Sequence, residues 1–237
     1  MVRGILSGSS HPVIANGQTT SQPSKPSPGF PQTDAGHYGH SYNTKLRLAS
    51  YWHQIDEVLS LAPHTVLEVG MGNGFVTASL RREGIKVKTM DVAPDLGPDI
   101  VASVTDIPLA DGSVDVALCC QVLEHLPFEE FPTGVRELAR VARKGMVISL
   151  PDQQRYIRVL VQTRLFKIAD RLITLPAGLQ KKPVPLDPQH FWEIGCGEVA
   201  LGDVVRVLRE VTGQEPLSYR VPENPYHRFF ICRFEGR

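Results

Sequence analysis

The feature that most constrains the fold is a run of glycines at positions 70, 72 and 74, set between an apolar strand-like segment and a helix-like one. Thr65-Val66-Leu67-Glu68-Val69 reads as a short strand, and Gly70-Met71-Gly72-Asn73-Gly74 follows at once. Phe75 to Glu83 then reads as a helix stopped by Gly84. Glycines at such a junction let the backbone turn tightly and approach a ligand closely. The helix behind them presents its unpaired N–H groups to that ligand. Lys86 to Met90 is a second strand and ends in an acid, Asp91. An acid at that point of a strand–helix–strand unit is where a ribose diol is held.

The rest of the chain repeats the alternation. Leu46, Ala49, Trp52, Ile55, Val58 and Leu59 mark one face of a helix between Tyr42 and Leu61. Strands are expected at Ile100–Ser103, Val114–Cys120 and Met146–Leu150, and helices at Glu129–Ala142 and Glu198–Val211. Two alternating strands, Leu217–Val221 and His227–Phe234, close the chain. The expectation is an α/β, Rossmann-like, seven-stranded and mostly parallel sheet, with helices on both faces and an antiparallel C-terminal hairpin. Residues 1–36, rich in Ser, Pro and Gly, are expected to be a disordered tail, and 37–237 one domain with a lid insertion at about 152–196. Within the insertion, Val161, Leu165, Ile168 and Leu172 share one face of a helical projection. Arg164, Lys167 and Arg171 share another, which predicts a lid helix with a basic side. The alternative readings are a lid for an anionic or lipid-like acceptor, or contact of this 155–179 stretch with a membrane surface.

Lys+Arg 25 balances Asp+Glu 25, which argues against a bulk nucleic-acid binder, so no nucleic-acid partner is expected. No run approaches the ~18 apolar residues of a spanning helix. Cys119, Cys120, Cys196 and Cys232 show no metal-like spacing, so no metal is expected, and they read as reduced thiols of a cytoplasmic protein.

The glycine pattern departs from a dinucleotide fingerprint, which needs its third glycine where Phe75 stands. A carboxylate, Glu68, lies two residues before the first glycine and suits a cationic ligand better than a pyrophosphate. A ligand with both a ribose and a positive charge is S-adenosylmethionine. From Val66 to Pro151 the chain resembles the class I S-adenosylmethionine-dependent methyltransferases, in particular the small-molecule type, on the stretches Val66-Leu67-Glu68-Val69-Gly70, Asp106-Ile107-Pro108-Leu109 and Val122-Leu123-Glu124-His125-Leu126. The resemblance implies that Glu68, Gly70, Gly72 and Gly74 sit at the methionine part of the cofactor. It implies that Asp91, with Val92 after it, holds the ribose, and that Asp106 and Ile107 face the adenine. It also implies that Cys120 and Gln121 lie under the cofactor, with S-adenosylhomocysteine as the product. The Pro-Pro-Tyr element of enzymes acting on exocyclic amines of nucleic-acid bases is missing after Cys120.

The implied reaction is in-line methyl transfer to a small-molecule acceptor at O, N or C. A methyltransferase for protein or RNA, or a non-catalytic binding subunit, stands as the alternative. Where the acceptor keeps its proton at neutral pH a base is needed, and His125 and His190 are the candidates, since histidine titrates near neutrality. Phe191 and Trp192 are expected to wall His190 from water and lower its pKa. His37, Tyr38, His40 and Tyr42 form an aromatic cluster that could close over the cofactor.

Overall fold

A computed structural model describes Tyr38 and residues 42–162, 167–176 and 186–234. The expected tail, together with His37, His40, Arg164 and Leu165, lies outside the described residues. Seven strands form the main sheet: β1 Thr65–Val69, β2 Lys86–Asp91, β3 Ile100–Val101, β4 Val114–Cys120, β5 Ala142–Pro151, β8 Leu217–Arg220 and β9 His227–Arg233, in the order β3-β2-β1-β4-β5-β9-β8. The first five are parallel, and β9 and β8 join antiparallel at the edge. The architecture is the one the alternation of elements predicts.

Two apolar layers cover the sheet. Helices α1 (Lys45–Ser60) and α2 (Phe75–Arg82) pack Ile55, Val58, Val76 and Leu80 on Val66, Val116, Leu118 and Val147. Helices α3 (Phe131–Val141) and α4 (Leu201–Thr212) pack Val135, Leu138, Val204 and Leu208 on Leu67, Val69, Met146 and Ile148. Neighbouring residues of one strand thus serve opposite layers, which explains why β4 and β5 are nearly continuous apolar runs. Thr44 caps α1, its Oγ1 accepting from the Arg47 N–H at 3.2 Å.

The insertion differs from expectation. Its described part is not a lid helix but a two-stranded antiparallel hairpin, β6 (Tyr156–Gln162) and β7 (Lys167–Thr174). The segment Tyr-Ile-Arg-Val-Leu-Val at 156–161 is dense in β-branched and aromatic residues, which fit a pleated surface better than a helix. Arg158 seals the hairpin with a forked bond to Asp170, Nε–Oδ1 3.0 Å and Nη2–Oδ2 2.9 Å. Among the described residues no helix is long and apolar enough to cross a membrane.

Candidate active site

The strand order reverses between β1 and β4, and in open α/β sheets ligands bind outside the carboxyl ends of the strands at such a point. A cleft of about 1120 Å³, open solvent included, lies there. Its floor is the turn that leaves β1. Gly70, Gly72 and Gly74 have φ of 76°, 53° and 71°, a left-handed conformation that favours glycine. A Cβ on Gly70 would also overlap the Val122 side chain, so this turn and the end of β4 can meet only through a glycine.

Of the residues read from sequence, Glu68, Gly70, Gly72, Asp91, Val92, Cys120, Gln121 and His125 line this one cleft. Glu68 is buried on β1 and accepts a hydrogen bond from the Thr77 hydroxyl on α2. Burial pushes its carboxyl up to about 7, against the pull of Thr77 and Arg81. Asp91 ends β2, and its Oδ1 accepts from the Ala93 N–H at 3.0 Å. Partial burial raises its pKa, opposed by the N–H groups of Ala93, Val92 and Met71. The acid is therefore held in place by backbone donors. Gln121 has φ 56°, a strained conformation for a non-glycine residue, and is fixed by N–H to Ser149 O at 2.9 Å and Nε2 to Ser149 Oγ at 3.2 Å. Burial pushes the Cys120 thiol up to about 12, so it is not a thiolate nucleophile.

Three expected positions fall elsewhere. Gly74 is the N-cap of α2 and does not line the cleft. Asp106 is exposed, and Ile107 is turned away: its N–H donates to Glu137 Oε2 at 2.9 Å and its carbonyl accepts from Arg140 at 2.9 Å. An N–H spent on Glu137 cannot meet a purine nitrogen. The wall expected there is made instead by Ala102, Ser103 and Val104. The reason is that β3 stops at Val101, so the loop directly after it, not the later Asp-Ile pair, reaches the cleft.

His125 lies in the cleft wall, in a short turn after β4. Its Nδ1 is 3.0 Å from the carbonyl oxygen of Gln189, which can only accept, so Nδ1 carries the proton and the basic lone pair of the neutral ring is on Nε2. His190 stands behind it, outside the cleft, its Nδ1 2.7 Å from Glu193 Oε1. Glu193 Oε1 also accepts from the Tyr226 hydroxyl at 2.9 Å. The expected lowering of the His190 pKa is overturned. Burial does act in that direction, but the Glu193 bond and the charges of Glu124, Glu193 and Asp187 outweigh it and raise the value. Trp192 packs edge-on to Phe128 and Phe131 in the core. Glu124 is fully buried, neither carboxylate oxygen has a hydrogen-bond partner among the described residues, and burial pushes it up to about 7. One donor atom each of Glu124, His125 and His190 lies within 4.8 Å of the others, a set able to hold a metal ion that the cysteine spacing gave no hint of.

The opposite wall joins two members of the expected aromatic cluster, Tyr38 and Tyr42, to residues that sequence reasoning did not assign to the site. Tyr51 and Arg47 come from α1, Tyr38 and Tyr42 from the segment before it, and His227 from β9. Arg47 Cζ lies 3.8 Å from the Tyr42 ring centroid and Nη1 donates to Tyr42 Oη at 2.6 Å. His227 is buried and held neutral, its pKa pushed down to about 3 by burial and by the Arg47 charge. Tyr38 and Tyr42 bear on the expected aromatic cluster; no sequence period marked Arg47 or His227.

Residues 67–150 match the family model described as a methyltransferase domain. An uncharacterised methyltransferase of Mycobacterium sp. (strain JLS) is 37% identical over 130 residues, covering 49% of this chain and 50% of the relative. The ubiquinone biosynthesis O-methyltransferase of Xanthomonas oryzae pv. oryzae (strain PXO99A) is 35% identical over 103 residues, covering 37% of this chain and 42% of the relative. The chain thus spans half or less of the length of these relatives. The solved 1,6-didemethyltoxoflavin-N1-methyltransferase of Burkholderia thailandensis, with 1,6-didemethyltoxoflavin and S-adenosylhomocysteine bound, superposes with a TM-score of 0.53 at 18% identity, covering 79% of this chain and 77% of that one. At that identity the likeness is one of fold.

Proposed function

We propose that the chain, whose residues 67–150 match a methyltransferase domain, is a class I S-adenosylmethionine-dependent methyltransferase that binds its cofactor in the β1–β4 cleft and methylates a small-molecule acceptor. The observation that carries this reading is the convergence of Glu68, the glycine turn, Asp91 and His125 on one cleft at the switch point. These residues fit the cofactor. Asp91 offers a carboxylate to two ribose hydroxyls, Ala102, Ser103 and Val104 line the cleft where a base would lie, and Glu68 supplies the negative charge that a cationic centre needs. When bound, the sulfonium supplies an already activated methyl group.

The protein's part is then alignment, exclusion of water and removal of the acceptor's proton. Tyr38, Tyr42 and Tyr51 narrow the cleft on the α1 side. Gln121 is held rigid at the end of β4, and its strained backbone is the kind of cost kept at functional positions. His125, oriented by Gln189, takes the proton at Nε2 from an acceptor hydroxyl or amine. The relative named as a ubiquinone biosynthesis O-methyltransferase supports a small-molecule acceptor.

The test is transfer of a radiolabelled methyl group from S-adenosylmethionine to three pools: small phenols and heterocyclic amines, total tRNA, and a protein extract. Label entering the small-molecule pool alone is the expected result. Label entering only tRNA or protein would contradict it.

A further inference from the structure

A second cavity, of about 1240 Å³ with open solvent included, lies beneath the β6–β7 hairpin and is lined by Gln154, Tyr156, Arg220 and Tyr226 among others. It adjoins the cleft. Leu46 and Tyr226 line the cavity, while the next residues in the chain, Arg47 and His227, line the cleft. Two cations, Arg220 on its wall and Arg228 behind it, share one acid. Arg228 Nε is 2.6 Å and Arg220 Nε 3.6 Å from the same Asp152 oxygen, and the three side chains are only 10%, 3% and 0% exposed. Among the described residues no second carboxylate is paired with this couple, while Glu223, a further acid on the cavity wall, is exposed and pairs with Arg158 at 3.7 Å.

Arg220 is built to present a group. Its Nε donates to Pro225 O at 2.6 Å and its Nη2 to Asp152 O at 3.0 Å, while its plane lies over Tyr156, Cζ 4.8 Å from the ring centroid. Nη1 is buried with no hydrogen-bond partner among the described residues, and the Gln154 Oε1 acceptor on the same wall is in the same state. Buried polar atoms are nearly always satisfied, so these two orphans mark where a ligand or ordered solvent belongs.

We propose that this cavity binds a carboxylate carried by the methyl acceptor, with Arg220 as the residue that recognises it. The inference rests on the small-molecule reading above and narrows it. A carboxylate offers the planar acceptor that a guanidinium N–H meets, whereas a dianionic phosphate would bring a second negative charge beside Glu223. The Gln154 acceptor asks for a donor beside the carboxylate, such as a hydroxyl. The acceptor class is therefore a small carboxylic acid bound by its acid end in the cavity, with the atom to be methylated reaching past Tyr226 and His227 to the cleft. Arg220 is a specificity residue and touches neither the cofactor positions nor His125.

The experiment titrates the full chain with benzoate, benzamide and inorganic phosphate by calorimetry, with and without S-adenosylhomocysteine. Benzoate should bind at least about tenfold more tightly than either of the others. Arg220→Gln should weaken benzoate by about tenfold and leave S-adenosylhomocysteine affinity unchanged. Because Arg220 also ties two carbonyls, Arg220→Lys is the gentler variant: it keeps the charge, loses the fork, and should weaken benzoate several-fold. Benzamide or phosphate binding as tightly as benzoate, or full benzoate affinity in a folded variant, overturns the proposal. Benzoate binding is read without methyl transfer, so absent binding of S-adenosylhomocysteine would count against the donor site alone.

Discussion

The rings of His125 and His190 meet edge to face, their centroids 4.7 Å apart and their planes at 81°. The two residues come from connections 65 positions apart in numbering, one after β4 and one after the hairpin, and the contact joins the cleft wall to the Glu193–Tyr226 pair, whose acid is buried. Only His125 faces the cleft. The two histidines, equivalent candidates in the sequence, therefore have different tasks.

Replacing His125 by Ala should lower turnover by roughly 10²-fold, as expected for a lost general base. His190→Ala should act through the His125 ring and cost less. Cofactor affinity should hold in both, because neither residue touches the glycine turn or Asp91. Steady-state kinetics beside calorimetry checks this; two full-rate variants would show that alignment alone suffices or that another group takes the proton.

Asp91→Ala removes the carboxylate that the backbone donors of Ala93, Val92 and Met71 hold at the end of β2. Losing charged hydrogen bonds to a ribose costs about 1.5–3 kcal/mol, roughly tenfold to a hundredfold in affinity. Asp106→Ala should leave affinity unchanged, since Asp106 is exposed and outside the cleft. Competitive displacement of a fluorescent adenosine analogue compares the two variants directly. Equal losses would return Asp106 to the site.

Glu68 gives a pH dependence with a definite sign. Its carboxyl titrates near 7 in the fold against an ordinary value of 4.5, so between these values the folded state holds the proton more tightly than the unfolded chain. Stability should therefore fall as pH rises through that window and level off above it, by on the order of 3 kcal/mol for this group. A cationic ligand favours the ionised form. S-adenosylmethionine binding near pH 6.5 should release protons, seen as a dependence of the binding enthalpy on buffer ionisation. Glu68→Gln should abolish that release and its share of the pH slope, while buried Glu124 continues to contribute a slope of the same sign.

Much of this architecture was legible because β1, β4 and β5 are apolar runs alternating with helical periods, and because φ of 76° and 53° favours glycine at Gly70 and Gly72. The insertion was misread because a face at spacings of three and four can be drawn through residues 161–172 even though the β-branched content at 156–161 favours strands. Asp106 and Ile107 were misplaced because β3 is two residues long, and a spacing counted along the chain says little about where so short a strand releases it. Arg47, His227 and the Glu124–His190 contact were hidden for another reason. They join segments far apart in the chain, and only the assembled sheet brings Arg47 and His227 to the cleft and His190 up to Glu124 behind it.

The central claim is that the β1–β4 cleft is a donor site for S-adenosylmethionine. Its most direct test is calorimetric titration of the full chain with S-adenosylmethionine, S-adenosylhomocysteine and NAD under the same conditions. The account expects both sulfur nucleosides to bind at one site per chain and NAD to give no heat of binding, because Phe75 stands where a dinucleotide turn needs glycine and Glu68 repels a pyrophosphate. NAD binding with comparable affinity, or no binding of either sulfur nucleoside, would contradict it.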